Sequence, residues 1–248
     1  TIGGFGILQD TRKCVESRQL HKEDCLQEIR VELGSNVGVR SISSTSARGR
    51  NDVNGYASGL LEEILEPSNM NLAYKRVKAN KGSYGVDGMT VNELLQFLKQ
   101  NSKQLRQSLL EGKYNPQPVR RVEIPKADGG TRLLGIPTVV DRVIQQSIAQ
   151  ILSPMYERKF SKTSYGFRPN KSAKEAVLKC KEYIDTGYKW AVDIDLAKYF
   201  DTVNHDKLMR LLSETIKDGR VLSLIRKYLS SGVMINGTVE ETEIGCPQ

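Results

Sequence analysis

The sequence has few residues of the kinds that build metal centres and disulfide frameworks. Only four cysteines and two histidines occur among 248 residues, and no two cysteines form a Cys-x-x-Cys pair. A structural zinc site or a disulfide-stapled fold is therefore not expected. A histidine relay is also disfavoured, because His205 would have to carry it alone. We interpret His205 as a surface or helix-start residue.

Long apolar runs are missing as well. No stretch approaches the ~18 consecutive apolar residues of a membrane span. The first six residues, Thr1–Gly6, lack the basic-then-apolar layout of a signal peptide. The hydrophobic content of 38% can build a core, and the mean hydropathy is −0.43. We therefore expect a soluble chain that binds no membrane and lies in the cytoplasm.

Positive charge is concentrated in one part of the chain. The formal net charge is +8, and residues 112–190 alone hold fifteen Lys and Arg against seven Asp and Glu, which is also +8. The remainder is neutral, with 22 basic residues (37 − 15) against 22 acidic ones (29 − 7). A concentrated basic field indicates a polyanionic partner such as a nucleic acid. A generally basic soluble protein would spread its charge more evenly.

Residues 189–201 combine an apolar alternation with acidic side chains. Apolar residues occupy every second position, with small or acidic residues between them: Trp190, Val192, Ile194 and Leu196 against Ala191, Asp193 and Asp195. A period of two predicts a β-strand with an apolar face and two carboxylates on the other face. A hard cation such as Mg²⁺ would explain these carboxylates, and so would a strand end that faces water.

The rest of the chain is predicted to be mainly helical from Leu60 onward. Residues 34–59 are rich in Ser and Gly, so we expect residues 1–59 to be a flexible extension. Residues 81–88 hold three glycines and predict a mobile or tightly turned loop. Apolar spacing and capping signals predict seven helices. The first is a short helix before Pro67, and the second ends at Gly82. The others run from Thr90 to Gly112, from Val139 to Leu152, from Ser172 to Gly187, onward from Asn204 or Asp206, and over Leu222–Leu229. A hairpin is predicted around Asn236-Gly237.

A further β-hairpin carries two cations near its tip. Val119–Ile124 and Leu133–Ile136 read as strands on either side of Asp128-Gly129-Gly130, with Lys126 on one arm and Arg132 on the other. Two cations in this position can close over a phosphate. Solvated charges on an exposed hairpin would give the same pattern.

Residues 164–169, Ser-Tyr-Gly-Phe-Arg-Pro, interleave aromatic residues with Arg168 in a basic stretch. This composition suits stacking on nucleic-acid bases or gripping a backbone. The aromatic side chains could equally pin the loop to the core.

Several of these stretches, in this order, resemble the reverse transcriptases of the group II intron-encoded (maturase) family. The resemblance runs from about Leu60 to the end, and its specificity comes from the shared order of short motifs. It implies an α+β right-hand polymerase fold, helix-rich with β-hairpins, with fingers over 60–189 and a partial palm over 190–248. The resemblance does not extend to residues 1–59. The matching segments are Asn80–Gly88, Val122–Lys126, Thr131–Pro137, Asp141–Gln146, Ser164–Pro169, Asp195–Asp201 and Gly245–Gln248.

The resemblance implies an RNA-directed DNA polymerase that extends a DNA primer on an RNA template with dNTPs. Asp195 is then the catalytic carboxylate, which holds Mg²⁺ (or Mn²⁺) together with the backbone carbonyl of Leu196, while Asp193 is a neighbour. Group II intron RNA is an implied partner, in a cytoplasmic ribonucleoprotein, and a homodimer is a further expectation.

The resemblance also implies two sets of binding residues. For dNTP binding, Lys126 and Arg132 clamp the triphosphate, Phe200 crowds the ribose 2′ position, and Gln248 begins the motif beside the nascent base pair. For template or intron RNA, the residues are Lys81, Gly82, Tyr165, Arg168 and Lys171.

One family motif does not occur in the sequence. The second catalytic carboxylates, in a Tyr-x-Asp-Asp hairpin, are missing, so we expect this chain to be inactive alone. The main alternative is a non-catalytic RNA-binding maturase that acts as a splicing cofactor. A retron, diversity-generating or CRISPR-linked reverse transcriptase is a nearer alternative. Asp195, Lys126, Arg132 and Phe200 together favour the enzyme, because binding alone needs neither a sugar gate nor a metal ligand.

Overall fold

A computed structural model of the chain describes residues 59–125 and 129–246. The expected extension up to residue 58 and the sites predicted at Lys126 and Gln248 lie outside the described residues. None of the described helices is long and apolar enough to cross a membrane. The described elements are α1 (Leu60–Ile64), α2 (Pro67–Asn80), α3 (Leu94–Leu110), β1 (Val119–Pro125), β2 (Thr131–Ile136), α4 (Val139–Glu157), α5 (Ala173–Asp185), a 3₁₀-helix (Phe200–Thr202), α6 (His205–Thr215), α7 (Gly219–Leu229), β3 (Val233–Ile235) and β4 (Thr238–Glu240).

Most helices begin where the sequence carries a capping residue. A side-chain oxygen accepts a hydrogen bond from a first-turn N–H at Thr138 for α4, Ser172 for α5, Asn204 for α6 and Asp218 for α7.

Two predicted helix bounds are wrong in detail. The helix predicted to open at Thr90 starts at Leu94, after a turn in which the Glu93 N–H donates to the Thr90 carbonyl (3.2 Å) and the Glu93 carboxylate accepts from the Thr90 N–H (2.8 Å). Helix α4 continues past its predicted end at Leu152 to Glu157, with Pro154 inside the helix.

Four strands form one mixed sheet in the order β2-β1-β3-β4. Strands β1 and β2 are antiparallel, with Ile124 opposite Arg132, and β3 and β4 pair around Asn236-Gly237, where both φ angles are positive. Both predicted hairpins are therefore confirmed. Strand β1 pairs in parallel with β3, so the sheet joins segments from both sides of the boundary predicted at residues 189/190.

The hydrophobic core also combines early and late parts of the chain. Helices α1, α2, α3 and α4 contribute Leu61, Val77, Leu94 and Ile144, and Val221 of α7 packs into the same cluster. Apolar burial of this kind is the main stabilising contribution to the fold. The division into fingers and palm stays a prediction, since one core spans the predicted boundary.

The strand predicted over residues 190–196 does not form. The segment has no regular secondary structure, and Trp190, Val192 and Ile194 are 94%, 83% and 81% exposed. An alternating pattern produces a strand only where a neighbouring strand pairs with its backbone. No strand within 59–125 or 129–246 takes that position.

Helix α5 has no buried face in the structure. No residue of α5 is buried, and Val177, Leu178 and Ile184 are exposed, although the apolar spacing is that of an amphipathic helix. Helix α5 and the segment after it thus form an uncovered apolar surface within the described part of the chain.

Candidate functional site

One face of the β1–β2 hairpin carries two arginines. The alternation of side chains puts three pairs on this face: Arg120 with Ile136, Val122 with Leu134, and Ile124 with Arg132. The side chain of Arg132 is exposed and makes no hydrogen bond or ion pair with any described residue. Its guanidinium is therefore accessible to an anion.

Two arginines hold the loop over residues 81–88, Arg120 at the base of this hairpin and Arg142 in α4. Arg120 donates to the Tyr84 carbonyl (3.1 and 3.0 Å) and to Ser83 Oγ (2.9 Å), and its guanidinium lies 4.5 Å from the Tyr84 ring centroid. Arg142, in the first turn of α4, donates to the Ser83 carbonyl (2.6 Å). A cation that stacks on an aromatic ring and also donates hydrogen bonds holds its partner firmly.

Close packing against α4 explains two glycines of this loop. A Cβ on Gly85 would lie 2.6 Å from Thr138 Cα, and a Cβ on Gly82 would clash with the Arg142 guanidinium. Of the two predicted states, mobile or tightly turned, the structure shows the second. Lys81 ends α2 in a left-handed conformation (φ 48°) and is exposed.

Phe200 lies in a turn that is joined to the last described residues. Its carbonyl accepts from the Cys246 N–H (2.7 Å), and the Val203 carbonyl accepts from the Gly245 N–H (2.8 Å). The Phe200 ring meets the Tyr199 ring edge-on, with centroids 5.4 Å apart, and about half of its surface is exposed. The structure thus brings Phe200 next to the segment that leads to Gln248.

His205 begins α6 directly after this turn. The prediction of a helix start is confirmed. The predicted surface position is wrong, because His205 is buried, with Nε2 2.7 Å from the Gly245 carbonyl oxygen.

The acidic segment before the turn does not form a complete metal site. Asp193 and Asp195 are exposed, and the described residues contain no group of three or more His, Cys, Asp or Glu able to hold a metal ion. Mg²⁺ prefers six oxygen ligands in octahedral geometry. One carboxylate and the Leu196 carbonyl are ligands of the right kind but too few, so no reaction step through a metal can be derived from them.

Arg168 is used to build its own loop. Its guanidinium donates to the Glu157 carboxylate (2.6 to 3.1 Å) and to the carbonyls of Ser161 (2.5 Å) and Ser164 (2.9 Å), and its side chain is only 9% exposed. The hydrogen bond from Arg168 holds the pKa of Glu157 below its ordinary value. Arg168 therefore shapes the loop, and few of its donors are left for a nucleic acid.

The same loop presents aromatic groups and a cation outward. The Lys171 ammonium lies 5.0 Å from the Tyr165 ring centroid. Phe167 is fully exposed and has a positive φ (55°), a conformation that is uncommon for a bulky residue. Sequence reasoning selected Tyr165 and Lys171 but missed Phe167, although the alternation of aromatic and basic residues includes it.

The buried carboxylate of Asp141 was not among the residues predicted from the sequence. Asp141 Oδ1 accepts from the hydroxyls of Tyr114 (2.7 Å) and Tyr228 (3.1 Å), and Oδ2 accepts from Thr138 Oγ1 (2.7 Å) and the Gln117 N–H (3.3 Å). Burial, with the charge of Asp141, raises the pKa of both tyrosines. The cluster fixes the chain before β1 to α4 and α7. A Thr-x-x-Asp pattern before an apolar run was the available signal.

Apart from Asp195 and Leu196, on the exposed segment before the Phe200 turn, the predicted site residues that the structure describes fall into three groups: the hairpin with loop 81–88, the Phe200 turn with Gly245–Cys246, and the Arg168 loop. No hydrogen bond or ion pair links one group to another among the described residues. Hydrogen bonds or ring contacts connect the residues within each group.

Comparison with known proteins identifies related sequences. The family model described as reverse transcriptase (RNA-dependent DNA polymerase) matches residues 124–248, half of the chain. Protein YkfC of Escherichia coli (strain K12) is 36% identical over 195 residues, covering 76% of this chain and 51% of that protein. The group II intron-encoded protein LtrA of Lactococcus lactis subsp. cremoris is 36% identical over 190 residues, covering 76% of this chain and 31% of LtrA.

A third relative is similar at the same level. The putative COX1/OXI3 intron 2 protein of Saccharomyces cerevisiae (strain ATCC 204508 / S288c) is 36% identical over 181 residues, covering 71% of this chain and 21% of that protein. The chain therefore spans about half or less of the length of these three relatives.

Proposed function

The chain belongs to the reverse transcriptase family, and from this premise we propose that it is the fingers and first palm part of an RNA-directed DNA polymerase encoded by a group II intron. The observation that supports this most is the contact between Phe200 and Cys246. It joins two motifs that would both face an incoming nucleotide. In this proposal residues 60–189 are fingers, residues 190–248 begin the palm, and residues 1–59 are an extension.

The hairpin would bind the triphosphate of a dNTP. Arg132 supplies a bidentate donor set, and Lys126 would supply a second cation from the opposite arm. The exposure of Arg132 supports this assignment. Arg120 and Arg142 would keep the base of the hairpin and loop 81–88 in one arrangement while the tip contacts phosphate.

The Phe200 turn would bind the sugar and base. The half-exposed Phe200 ring would occupy the space of a ribose 2′-hydroxyl and so favour dNTP over rNTP, because a steric clash is an effective way to reject a competing substrate. Gln248 would lie beside the nascent base pair, since its segment is bonded to the same turn through Cys246.

Asp195 and the Leu196 carbonyl would be part of a divalent-metal site, with Mg²⁺ the first choice and Mn²⁺ the alternative. A metal bound there would neutralise phosphate charge during nucleotidyl transfer. The described residues supply too few ligands for it. The further carboxylates would have to come from outside them.

Template and intron RNA would contact the exposed basic and aromatic surfaces. Lys81 and Gly82 would face the template from loop 81–88. Tyr165 and Lys171, together with Phe167, would stack on bases and contact phosphates. Arg168 would contribute indirectly by holding this loop through Glu157.

The second candidate is a non-catalytic maturase that binds intron RNA as a splicing cofactor. The basic segment over 112–190 supports both candidates equally. In either case the protein would work in a cytoplasmic ribonucleoprotein, and a homodimer is the proposed assembly.

RNA-templated primer extension tests the proposal. This chain and a longer version that continues through palm and thumb are incubated with RNA template, DNA primer, dNTPs and Mg²⁺. We expect extension only by the longer version. If neither version extends a primer while both bind structured RNA tightly, the splicing-cofactor function replaces the polymerase.

A further inference from the structure

His205 is a buried polar residue whose single described side-chain partner is a backbone carbonyl. It is 3% exposed, and its Nε2 lies 2.7 Å from the oxygen of Gly245. A carbonyl oxygen only accepts, so Nε2 carries the proton in this bond. A buried hydrogen bond of this kind is costly to break, because the carbonyl and the imidazole would both lose their partner away from water.

Gly245 is held on its other side by the turn that contains Phe200. Its N–H donates to the Val203 carbonyl, and the next N–H, of Cys246, donates to the Phe200 carbonyl. The φ of Gly245 is +84°, and a Cβ there would lie 2.8 Å from the Asp201 carbonyl oxygen. The Gly245 carbonyl is the remaining group through which the protein can hold this residue, and His205 binds it.

We propose that His205 is a positioning residue that keeps the segment Gly245–Cys246 against the Phe200 turn. The Nε2–H bond to Gly245 fixes the start of that segment from the side of α6. The effect of this positioning on nucleotide selection rests on the proposed function. The positioning itself does not, because it concerns only the attachment of Gly245 and Cys246.

Cys246 provides a readout that needs no polymerase activity. Its thiol is half-buried, and burial raises its pKa, so alkylation is slow while the segment stays attached. Cys180 is exposed on α5 and serves as a reference within the same molecule. Iodoacetamide labelling followed by mass spectrometry of the two cysteine peptides gives the ratio of their rates.

Three substitutions at position 205 separate the hydrogen bond from burial. His205→Leu fills the space without a donor, His205→Asn keeps an amide too short to reach, and His205→Gln places an amide nitrogen near the position of Nε2. We expect Cys246 alkylation to become about tenfold faster in the Leu and Asn variants, the effect of losing one buried hydrogen bond. The Gln variant should stay near the wild-type rate.

Asn204→Ala is the matched control. It removes the α6 cap, in which Asn204 Oδ1 accepts from the Lys207 N–H (2.8 Å), but leaves the Gly245 contact in place. It should lower thermal stability without changing Cys246 alkylation. Unchanged alkylation in folded His205→Leu and His205→Asn proteins would overturn the positioning role, as would equal acceleration in Asn204→Ala.

The same variants in the longer polymerase test the link to nucleotide selection. His205→Leu should raise KM for dNTP and weaken the rejection of rNTP, with kcat and primer–template affinity nearly unchanged and His205→Gln restoring both values. A loss of kcat alone would overturn this link. If alkylation responds as expected but no version extends a primer, the positioning role stands and the polymerase function fails.

Discussion

Arginines in this protein divide into those that hold the fold and those that remain accessible. Arg142 and Arg168 donate to backbone carbonyls, and Arg168 also donates to Glu157, whereas the exposed Arg132 side chain makes no hydrogen bond or ion pair with a described residue. The sequence pattern selected Arg132 as a cation near the tip of a hairpin and Arg168 as an arginine interleaved with aromatic residues. It could not separate them, because the direction of a guanidinium depends on distant partners such as Glu157.

Substitution of Arg132 by Ala should raise KM for dNTP about tenfold, the effect of losing a charge-assisted hydrogen bond. Primer–template affinity should be nearly unchanged. Steady-state kinetics and primer–template binding, both measured on the longer polymerase, give the two quantities. Arg132→Lys is the control, since it keeps the charge without the bidentate geometry. Its KM for dNTP should lie between the values of the wild type and Arg132→Ala. An equal loss of RNA affinity would assign Arg132 to the template-binding surface instead.

Substitution of Phe200 by Val should improve the use of rNTP relative to dNTP by about tenfold or more, because the smaller side chain leaves space for the 2′-hydroxyl. Single-nucleotide incorporation with matched dNTP and rNTP gives the ratio. Tyr199→Phe changes the neighbouring ring of the edge-on pair and should leave the ratio unchanged. Unaltered sugar selection in Phe200→Val would contradict the gate assignment.

Elements that depend on neighbouring residues could be predicted from the sequence, and elements that depend on distant partners could not. Both hairpins formed where turn residues favour them, and Ser172 and Asn204 cap their helices. The segment over 190–196 has an equally clear alternation. It forms no strand, because a strand also needs a paired neighbour.

The same contrast holds for loop 81–88. Three glycines predicted either mobility or a tight turn, and only the approach of α4 to Gly85 decides between them. No pattern within the loop encodes that approach, because it involves the backbone of Thr138.

Substitution of Gly85 by Ala should destabilise the protein by about 1–3 kcal/mol, the usual effect of forcing a methyl group into a filled space. The added Cβ would meet Thr138 at 2.6 Å, a backbone contact that cannot rotate away. Urea unfolding followed by circular dichroism measures the change. Gly166→Ala is the control, because a Cβ there meets no atom within 4 Å and should cost little. Equal stability of the two variants would contradict the close packing of the loop on α4.

Across the whole molecule, late and early parts of the chain are joined in one sheet and one core. The parallel pairing of β1 with β3 and the packing of Val221 with α1 were not predictable, since no local signal specifies a partner so far along the chain. Ion pairs join the same parts. Arg220 of α7 donates to Glu62 of α1 (2.7 and 2.8 Å) and to Asp218 (2.9 Å), and the Leu61 N–H donates to Asp218 (3.1 Å).

This network predicts a specific dependence of stability on pH. The hydrogen bond from Arg220 lowers the pKa of Glu62. Burial raises the pKa of Asp218, but the bonds from Arg220 and Leu61 outweigh it, so that pKa also lies below its ordinary value. Carboxylates with lowered folded-state pKa values stabilise the protein above their unfolded values, about pH 4, and lose that contribution as the pH falls through the folded values.

Substitution of Arg220 by Ala should therefore lower the free energy of unfolding by about 1 kcal/mol at pH 7. The difference from wild type should shrink as the pH falls below about 5 and vanish once both carboxyls are protonated. Urea unfolding at a series of pH values measures this. Arg226→Ala, which removes the exposed pair with Asp206, should change little at any pH. An Arg220→Ala effect that is independent of pH would contradict the account.

The most direct test of the polymerase proposal is RNA-templated DNA synthesis by the longer version, with Asp195→Asn compared against Asp193→Asn. The two substitutions remove one charge each from neighbouring exposed positions, but only Asp195 is proposed as a metal ligand. We expect Asp195→Asn to abolish extension while salt-dependent RNA binding remains, and Asp193→Asn to keep most activity. Extension by Asp195→Asn at the wild-type rate, or no synthesis even by the unsubstituted protein, would contradict the proposal.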